Sequence, residues 1–258
     1  MPSKRESRSQ RIAIDIYGGT TRRKNIPVRK AFIRNDSEET PFQKLYVGGK
    51  SGALVVKLYL LIIGRASKPP FEIADTPASG WARALALPDP RGNGARKIKN
   101  ALKKLEELNF IELLTIPGKP SIIRLLSESG NGESYETPSR YFYEKQKIGE
   151  SHVYFKISGK LLIEGHFQQL SGSGLAMLLI LAAEEAYKKP VWFSTKEFPK
   201  RYGISPATRA KGTKELQENG MLRVSKQYLD EYGRTVSMKT QRRRNVYRLV
   251  DVAEPYPE

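Results

Sequence analysis

The sequence predicts an α+β chain, mainly α, in which one helix-rich unit ending in a short β-hairpin occurs twice behind a basic N-terminal arm. Three observations carry this. Apolar residues recur at offsets of three and four over several stretches, as in helices with one buried face. Short apolar runs separated by turn residues follow each helical block, as in hairpins. The order of elements seen over residues 50–127 then returns over residues 153–250.

Residues 1–40 read as a basic arm, with cations at Lys4, Arg5, Arg8, Arg11, Arg22, Arg23, Lys24, Arg29 and Lys30. Within it, Ile12 to Tyr17 alternates like a lone strand. The first unit spans 41–127. "SGALVVKLYLLIIGRAS" reads as a buried helix capped by Ser51 and closing near Gly64. "PPFEIA" is a short extended piece. "TPASGWARALAL" starts a helix with Thr76 as cap and Pro77 at the first position. After the turn "PDPRGNG", a third helix puts Ile98, Ala101, Leu102, Leu105 and Leu108 on one face, and Asn109 suits a left-handed cap. "FIELLTI" and "PSIIRLL" are strands around the tight turn "PGK".

Residues 128–150, rich in Ser, Gly and Glu, read as a linker. The second unit spans 151–258. It opens with the strand "HVYFKI" and the short amphipathic "SGKLLIEGHFQQL", followed by the buried helix "SGSGLAMLLILAAEEAYKK" and the strand "PVWFS". Ser194 and Glu197 suit a capping box. The last helix has Ser205 as cap, Pro206 at its first position and Gly220 as terminator. "MLRVSKQYL" and "RRRNVYRLV" are strands around a basic hairpin.

The two copies match without a gap where it counts: "ALKKLEELNFIELL" lies over "GTKELQENGMLRVS". Ala101 falls on Gly212, a small residue for close packing. Leu105 falls on Leu216, a core anchor. Asn109 falls on Gly220, a positive-φ terminator.

Bulk composition narrows function. The 258 residues are 39% hydrophobic and 28% charged, enough for a packed core. Cysteine is missing and there are two histidines, His152 and His166, which excludes disulfides, thiol chemistry and histidine-based metal sites. The longest apolar run, Leu175 to Ala183, falls short of the roughly 20 residues of a membrane span, and the N-terminus lacks the apolar core of a signal peptide. A soluble, cytoplasmic, nucleoid-associated protein is expected. The net charge of +18, from 45 Lys and Arg against 27 Asp and Glu, points to a polyanionic partner.

Each unit resembles a winged-helix DNA-binding domain, a helix-turn-helix followed by a β-hairpin wing. The segment "FSTKEFPKRYGISPATRAKGTKELQENGMLRV", with its short turn "RYGISP" and the leucine four residues before the glycine, carries the likeness. It covers roughly 50–127 and 153–250, and two unlike winged helices in one chain also resemble plasmid replication initiators. The resemblance implies two tandem winged-helix domains that bind double-stranded DNA in a sequence-specific way, as a replication initiator or a transcriptional regulator.

In such a domain the second helix of the pair enters the major groove. Over residues 205–219, Gly212, Thr213 and Leu216 fall inward and Thr208, Lys211 and Lys214 outward, with Ser205 at the tip and Arg209 at the boundary. Thr208, Arg209 and Lys211 are expected to supply most base readout. Lys226, Arg234, Lys239, Arg242, Arg243 and Arg244 lie on or beside the hairpin, fit for phosphates or the minor groove. In the first unit, Lys97 and Lys104 flank an outer face of Arg96, Asn100 and Lys103, with Lys99 beside it and Lys119 at the wing tip. This unit either reads bases, clamps phosphates or holds a protein.

Gly49, Lys50 and Ser51 imitate a phosphate-binding loop, but the first glycine of that motif would fall on Lys44, so a flexible start and a helix cap explain them better. Glu184 and Glu185 read as a solvated face near Lys188 and Lys189; Tyr141 and Tyr143 lack the partners of a nucleophilic tyrosine; His166 reads as structural. No enzyme activity, cofactor, metal or membrane is expected. Homodimerisation, or cooperative assembly on repeated sites, stays open. The alternatives are a winged-helix protein-interaction module and a DNA-nicking enzyme.

Overall fold

The computed structural model describes residues 25–34, 39–47, 49–138, 153–185, 190–228 and 243–255. The fold is α+β, rich in helix, with small antiparallel sheets.

The first half runs β1 (Asn25–Arg29), a 3-10 turn (Lys30–Phe32), α1 (Pro41–Leu45), α2 (Lys50–Arg65), β2 (Glu72–Ile73), α3 (Ala78–Ala84), α4 (Asn93–Glu107), β3 (Ile111–Leu114) and β4 (Ile122–Leu125). Strand β4 lies between β2 and β3, antiparallel to both. The second half runs β5 (Tyr154–Ser158), α5 (Lys160–Ile163), α6 (His166–Gln169), α7 (Gly172–Glu185), α8 (Glu197–Tyr202), α9 (Pro206–Glu218), β6 (Leu222–Tyr228) and β7 (Arg243–Leu249). Strands β6 and β7 pair antiparallel from Leu222↔Leu249 to Tyr228↔Arg243. Val191 adds a single bridge to Tyr247, in the place that β2 takes beside β4.

Helices α2 and α7 are apolar on nearly every side and lie inside one continuous core that joins the halves. Around them, α4 and α9 bury one face each: Ile98, Ala101, Leu102 and Leu105 on α4, Gly212 and Leu216 on α9. Both helices stop in the same way. Asn109 (φ 59°) and Gly220 (φ 70°) are left-handed. The next residue then closes on the leucine anchor, Phe110 N–H to Leu105 O at 2.9 Å and Met221 N–H to Leu216 O at 2.8 Å. The gapless match in sequence is therefore a match in backbone conformation.

The repeat also reaches further upstream than the residues suggest. Strands β1 and β5 occupy equivalent places, one before each buried helix, and pair with each other, Ile26↔Ile157 and Val28↔Phe155. Both bury their second, fourth and fifth residues.

This pairing corrects the expected arm. Ile26, Val28, Phe32 and Ile33 have no exposure, and each such side chain stabilises the fold by about 1.5–3 kcal/mol. Arg29 and Lys30, expected as arm cations, are buried. Arg29 Nε pairs at 3.0 Å with Glu128, which is fully buried. Ile12 to Tyr17 lies outside the described residues. The expected linker is corrected too, because Glu128 anchors it. Leu126 bridges to Ser134, and Tyr135 packs edge-on against Phe71 with centroids 5.1 Å apart. Residues 139–150 lie outside the described part.

Several caps differ from expectation. Helix α2 begins two residues earlier than its hydroxyl suggests, with Gly49 (φ 62°) as N-cap in place of Ser51. Helix α3 is preceded by Pro77, and the Thr76 hydroxyl donates to Asp75 instead. At α8, Glu197 N–H donates to Ser194 Oγ at 3.4 Å, one half of a capping box, and Lys196 is the N-cap. Ser205 caps α9 as expected, accepting from Thr208 N–H at 3.1 Å. A full capping box stands at Thr40 and Gln43 before α1.

Candidate nucleic-acid interface

Helices α8 and α9 are joined by Gly203 (φ 64°), which turns the chain, and by Ile204, buried beneath them. The turn leaves α9 lying against α7. At Gly212 the backbones come so close that a Cβ would stand 2.1 Å from Ser173 O, so a glycine is required there. One turn later, Glu215 accepts from Ser171 N–H at 2.6 Å and from the Ser171 hydroxyl. These contacts fix which side of α9 faces outward.

On that outer side, Lys211 and Lys214 are exposed, and Lys214 reaches Glu218 at 3.7 Å. Ser205 is exposed at the helix tip, but its hydroxyl already caps the helix and lies 2.9 Å from the Thr208 hydroxyl. Thr208 is half-buried.

Arg209 is placed differently from expectation. Its guanidinium lies over the rings of Phe198 (4.7 Å), Phe193 (5.2 Å) and Tyr247 (5.8 Å), and donates to the Tyr247 hydroxyl at 3.1 Å. A boundary arginine beside a cluster of rings turns toward them, because the ring faces attract the cation. The group assigned to base edges is thus engaged within the protein.

Among the hairpin residues, Lys226 and Arg243 are exposed. Arg244 is half-buried, its guanidinium stacked 3.7 Å from the Trp192 ring centre. Arg234, Lys239 and Arg242 lie outside the described residues. Two cations that motif reading passed over join this surface. Arg223 and Arg248, both exposed, stand directly opposite each other across β6 and β7. Like charges in that position repel, and Glu254 lies 3.6 Å from Arg248 to offset it. The alternation of "MLRVS", with Leu222 inward, held the signal for Arg223.

A scan against protein-family models finds no match, and searches of curated proteins and of solved structures return none.

The base of this surface is held by two acids expected in solvent. Glu184 accepts from the Tyr202 hydroxyl at 2.8 Å and pairs with Arg34 at 3.3 Å. Glu185 accepts from Leu249 N–H at 2.5 Å, and burial pushes its carboxyl up to about 7 against the opposing pull of that hydrogen bond and of Arg248. A helix-end carboxylate therefore anchors β7 to α7.

In the first half, Arg96, Lys97, Lys99, Asn100, Lys103 and Lys119 are all exposed. Arg96 donates to Asn93 at 3.1 Å and Lys103 lies 3.8 Å from Glu107. Lys97, Asn100 and Lys104 form a separate stripe that lines a cleft of about 490 Å³ against the start of α2. At the base of the hairpin, Arg124 is held between Glu72 (2.8 Å) and Glu112 (2.6 Å), so its charge is already paired.

Among the described residues, no group of three His, Asp or Glu could hold a metal ion, and no helix is long and apolar enough to cross a membrane. His166 lies 3.6 Å from Glu164 at the surface. His152, Tyr141 and Tyr143 lie outside the described residues.

Proposed function

We propose that the chain is a sequence-specific double-stranded DNA-binding protein made of two tandem winged helices, acting as a replication initiator of the plasmid type or as a transcriptional regulator. One observation carries the reading. Helix α9 is fixed by Gly212 and Glu215 on α7 so that Lys211 and Lys214 face outward, next to a hairpin bearing Lys226, Arg243 and the opposed pair Arg223 and Arg248. A helix of about 13 residues with cations on its outer side fits the major groove, and a basic hairpin fits the phosphate wall beside it.

The order helix, helix, helix, hairpin recurs in both halves, with β2 in the first and the single bridge of Val191 in the second after the buried helix, which supports the tandem reading. Base readout falls to Lys211, Lys214 and Thr208, since Arg209 is engaged with rings. Two unlike units in one chain favour initiation; a regulator would more often pair one such unit with a sensing domain.

Titration of the full chain with a labelled duplex at several salt concentrations tests the reading. Log affinity falls linearly with log salt, and changing Lys211 and Lys214 to Ala flattens the slope by about 0.9 for each phosphate no longer neutralised. Unchanged affinity and slope in that variant overturn the placement of α9. Incubating plasmid with the chain and Mg²⁺ or Mn²⁺ separates out a nicking enzyme, which would relax or cut it.

A further inference from the structure

The internal repeat exposes a difference between the two buried helices. Helix α7 begins at Gly172 with Ser171 before it, and α2 begins at Lys50 with Gly49 before it. "SGSGL" and "GKSGA" then occupy the same places, glycine over glycine at Gly174 and Gly52. At the start of α7, the carboxylate of Glu215 supplies acceptors to Ser171 and packs over Gly174, where a Cβ would stand 2.7 Å from it. A carboxylate at that end of a helix is favourable, because the first N–H groups are unpaired and the dipole there is positive.

The residue of α4 equivalent to Glu215, at the spacing that sets Ala101 on Gly212 and Leu105 on Leu216, is Lys104. The charge is reversed. The N-cap of α2 is Gly49, which carries no side chain to cap the helix. In place of an internal carboxylate there is a cleft of about 490 Å³, whose lining includes Lys50, Lys97 and Lys104 together with Val47, Leu54 and Leu87. Its size and mixed lining match a small-molecule site, an apolar body with a few placed polar groups. The backbone of Tyr46 and Val47 crosses over Gly52 and closes one side. Val47 itself is 67% exposed, the most exposed large apolar side chain among the described residues.

We propose that this cleft binds a small amphipathic anion, a carboxylate or phosphate head on an apolar body. The head takes the place that Glu215 fills in the second half, among three lysines and the first turn of α2. The body covers Val47, Leu54 and Leu87. Lys50, the lysine that made "GGKS" resemble a phosphate loop, thus serves a different kind of anion site, without a nucleotide fold.

Calorimetric titration of the full chain with octanoate, octyl phosphate, octan-1-ol and octylamine tests this without DNA. At least one of the two acids saturates a single site, and whichever binds more tightly identifies the head group. The alcohol and the amine bind at least about tenfold more weakly. Lys104→Glu, which copies the carboxylate of the second half, weakens the acid by at least about tenfold, and so does Lys97→Glu. Both positions are exposed, and thermal melts check that the variants fold. The proposal fails if neither acid saturates, if alcohol and acid bind alike, or if folded Lys104→Glu and Lys97→Glu bind the acid as tightly as the unaltered chain.

Discussion

The Arg209 guanidinium donates to the Tyr247 hydroxyl at 3.1 Å while lying over three aromatic rings. It joins α9 to β7, so the helix proposed to enter the major groove is tied directly to the hairpin beside it.

Replacing Arg209 with Ala therefore acts on the joint. It should lower folding stability by about 1–3 kcal/mol, the combined scale of a half-buried cation–ring contact and a hydrogen bond. Arg209→Lys keeps the charge but not the planar fork, and should recover less than half of the loss. Urea unfolding measures both. On DNA, Arg209→Ala should weaken all sequences alike; loss of selectivity at one base pair would return the residue to direct readout.

The close approach at Gly212 gives a second expectation. Gly212→Ala should destabilise by about 1–3 kcal/mol, because the added methyl meets the Ser173 carbonyl. Gly220→Ala should cost about 1 kcal/mol at its positive φ, while Asn109→Gly at the equivalent cap should be neutral or stabilising. Thermal unfolding of the three variants checks the ranking.

Much of this was legible in the residues. Apolar runs located α2 and α7, helix periodicity located α4, cap residues located α9, and the paired spacing of Ala101, Leu105 and Asn109 with Gly212, Leu216 and Gly220 found the repeat. The rest depended on contacts that are distant in sequence. Asn25 to Arg29 shows the alternation of a strand, but its partner lies about 129 residues away, so its cations read as an arm. Glu128 sits in a stretch with linker composition, and only the buried Arg29 explains it. At the candidate interface, spacing placed Lys211 and Lys214 outward. Arg209 could not be placed, because the rings that hold it come from two separate segments, Phe193 and Phe198 from one and Tyr247 from the other.

Buried acids make stability depend on pH. Burial raises Glu128 from 4.5 to about 7, partly offset by Arg29, and raises Glu185 to about 7 as well. The unfolded chain loses these protons near 4.5 while the folded chain keeps them, so between 4.5 and about 7 the folded state holds more protons. Their contribution to stability must then fall as pH rises through that window. Lys57 runs the other way. Burial lowers it to about 8, although it donates to Gln168 O and Leu170 O at 3.0 and 2.7 Å. Between about 8 and 10.5 the unfolded chain holds the extra proton, and stability rises with pH. Urea midpoints across pH should show the acid-side slope flattened in Glu185→Gln, which keeps an acceptor for Leu249 N–H. An unchanged slope would remove Glu185 from this role.

The hairpin makes a separate electrostatic prediction. Changing Lys226 and Arg243 to Ala should weaken binding to every duplex and reduce the salt slope by about 0.9 for each phosphate left without its cation. Binding isotherms from low to moderate salt read this directly, and an untouched slope would take the hairpin off the phosphates.

Selection of bound sites from a random duplex library tests the central claim most directly. Two DNA-reading units in one chain predict an enriched sequence with two blocks, their centres about 10–10.5 base pairs apart or a multiple of that. A library that emerges from repeated rounds with no enriched sequence would contradict it.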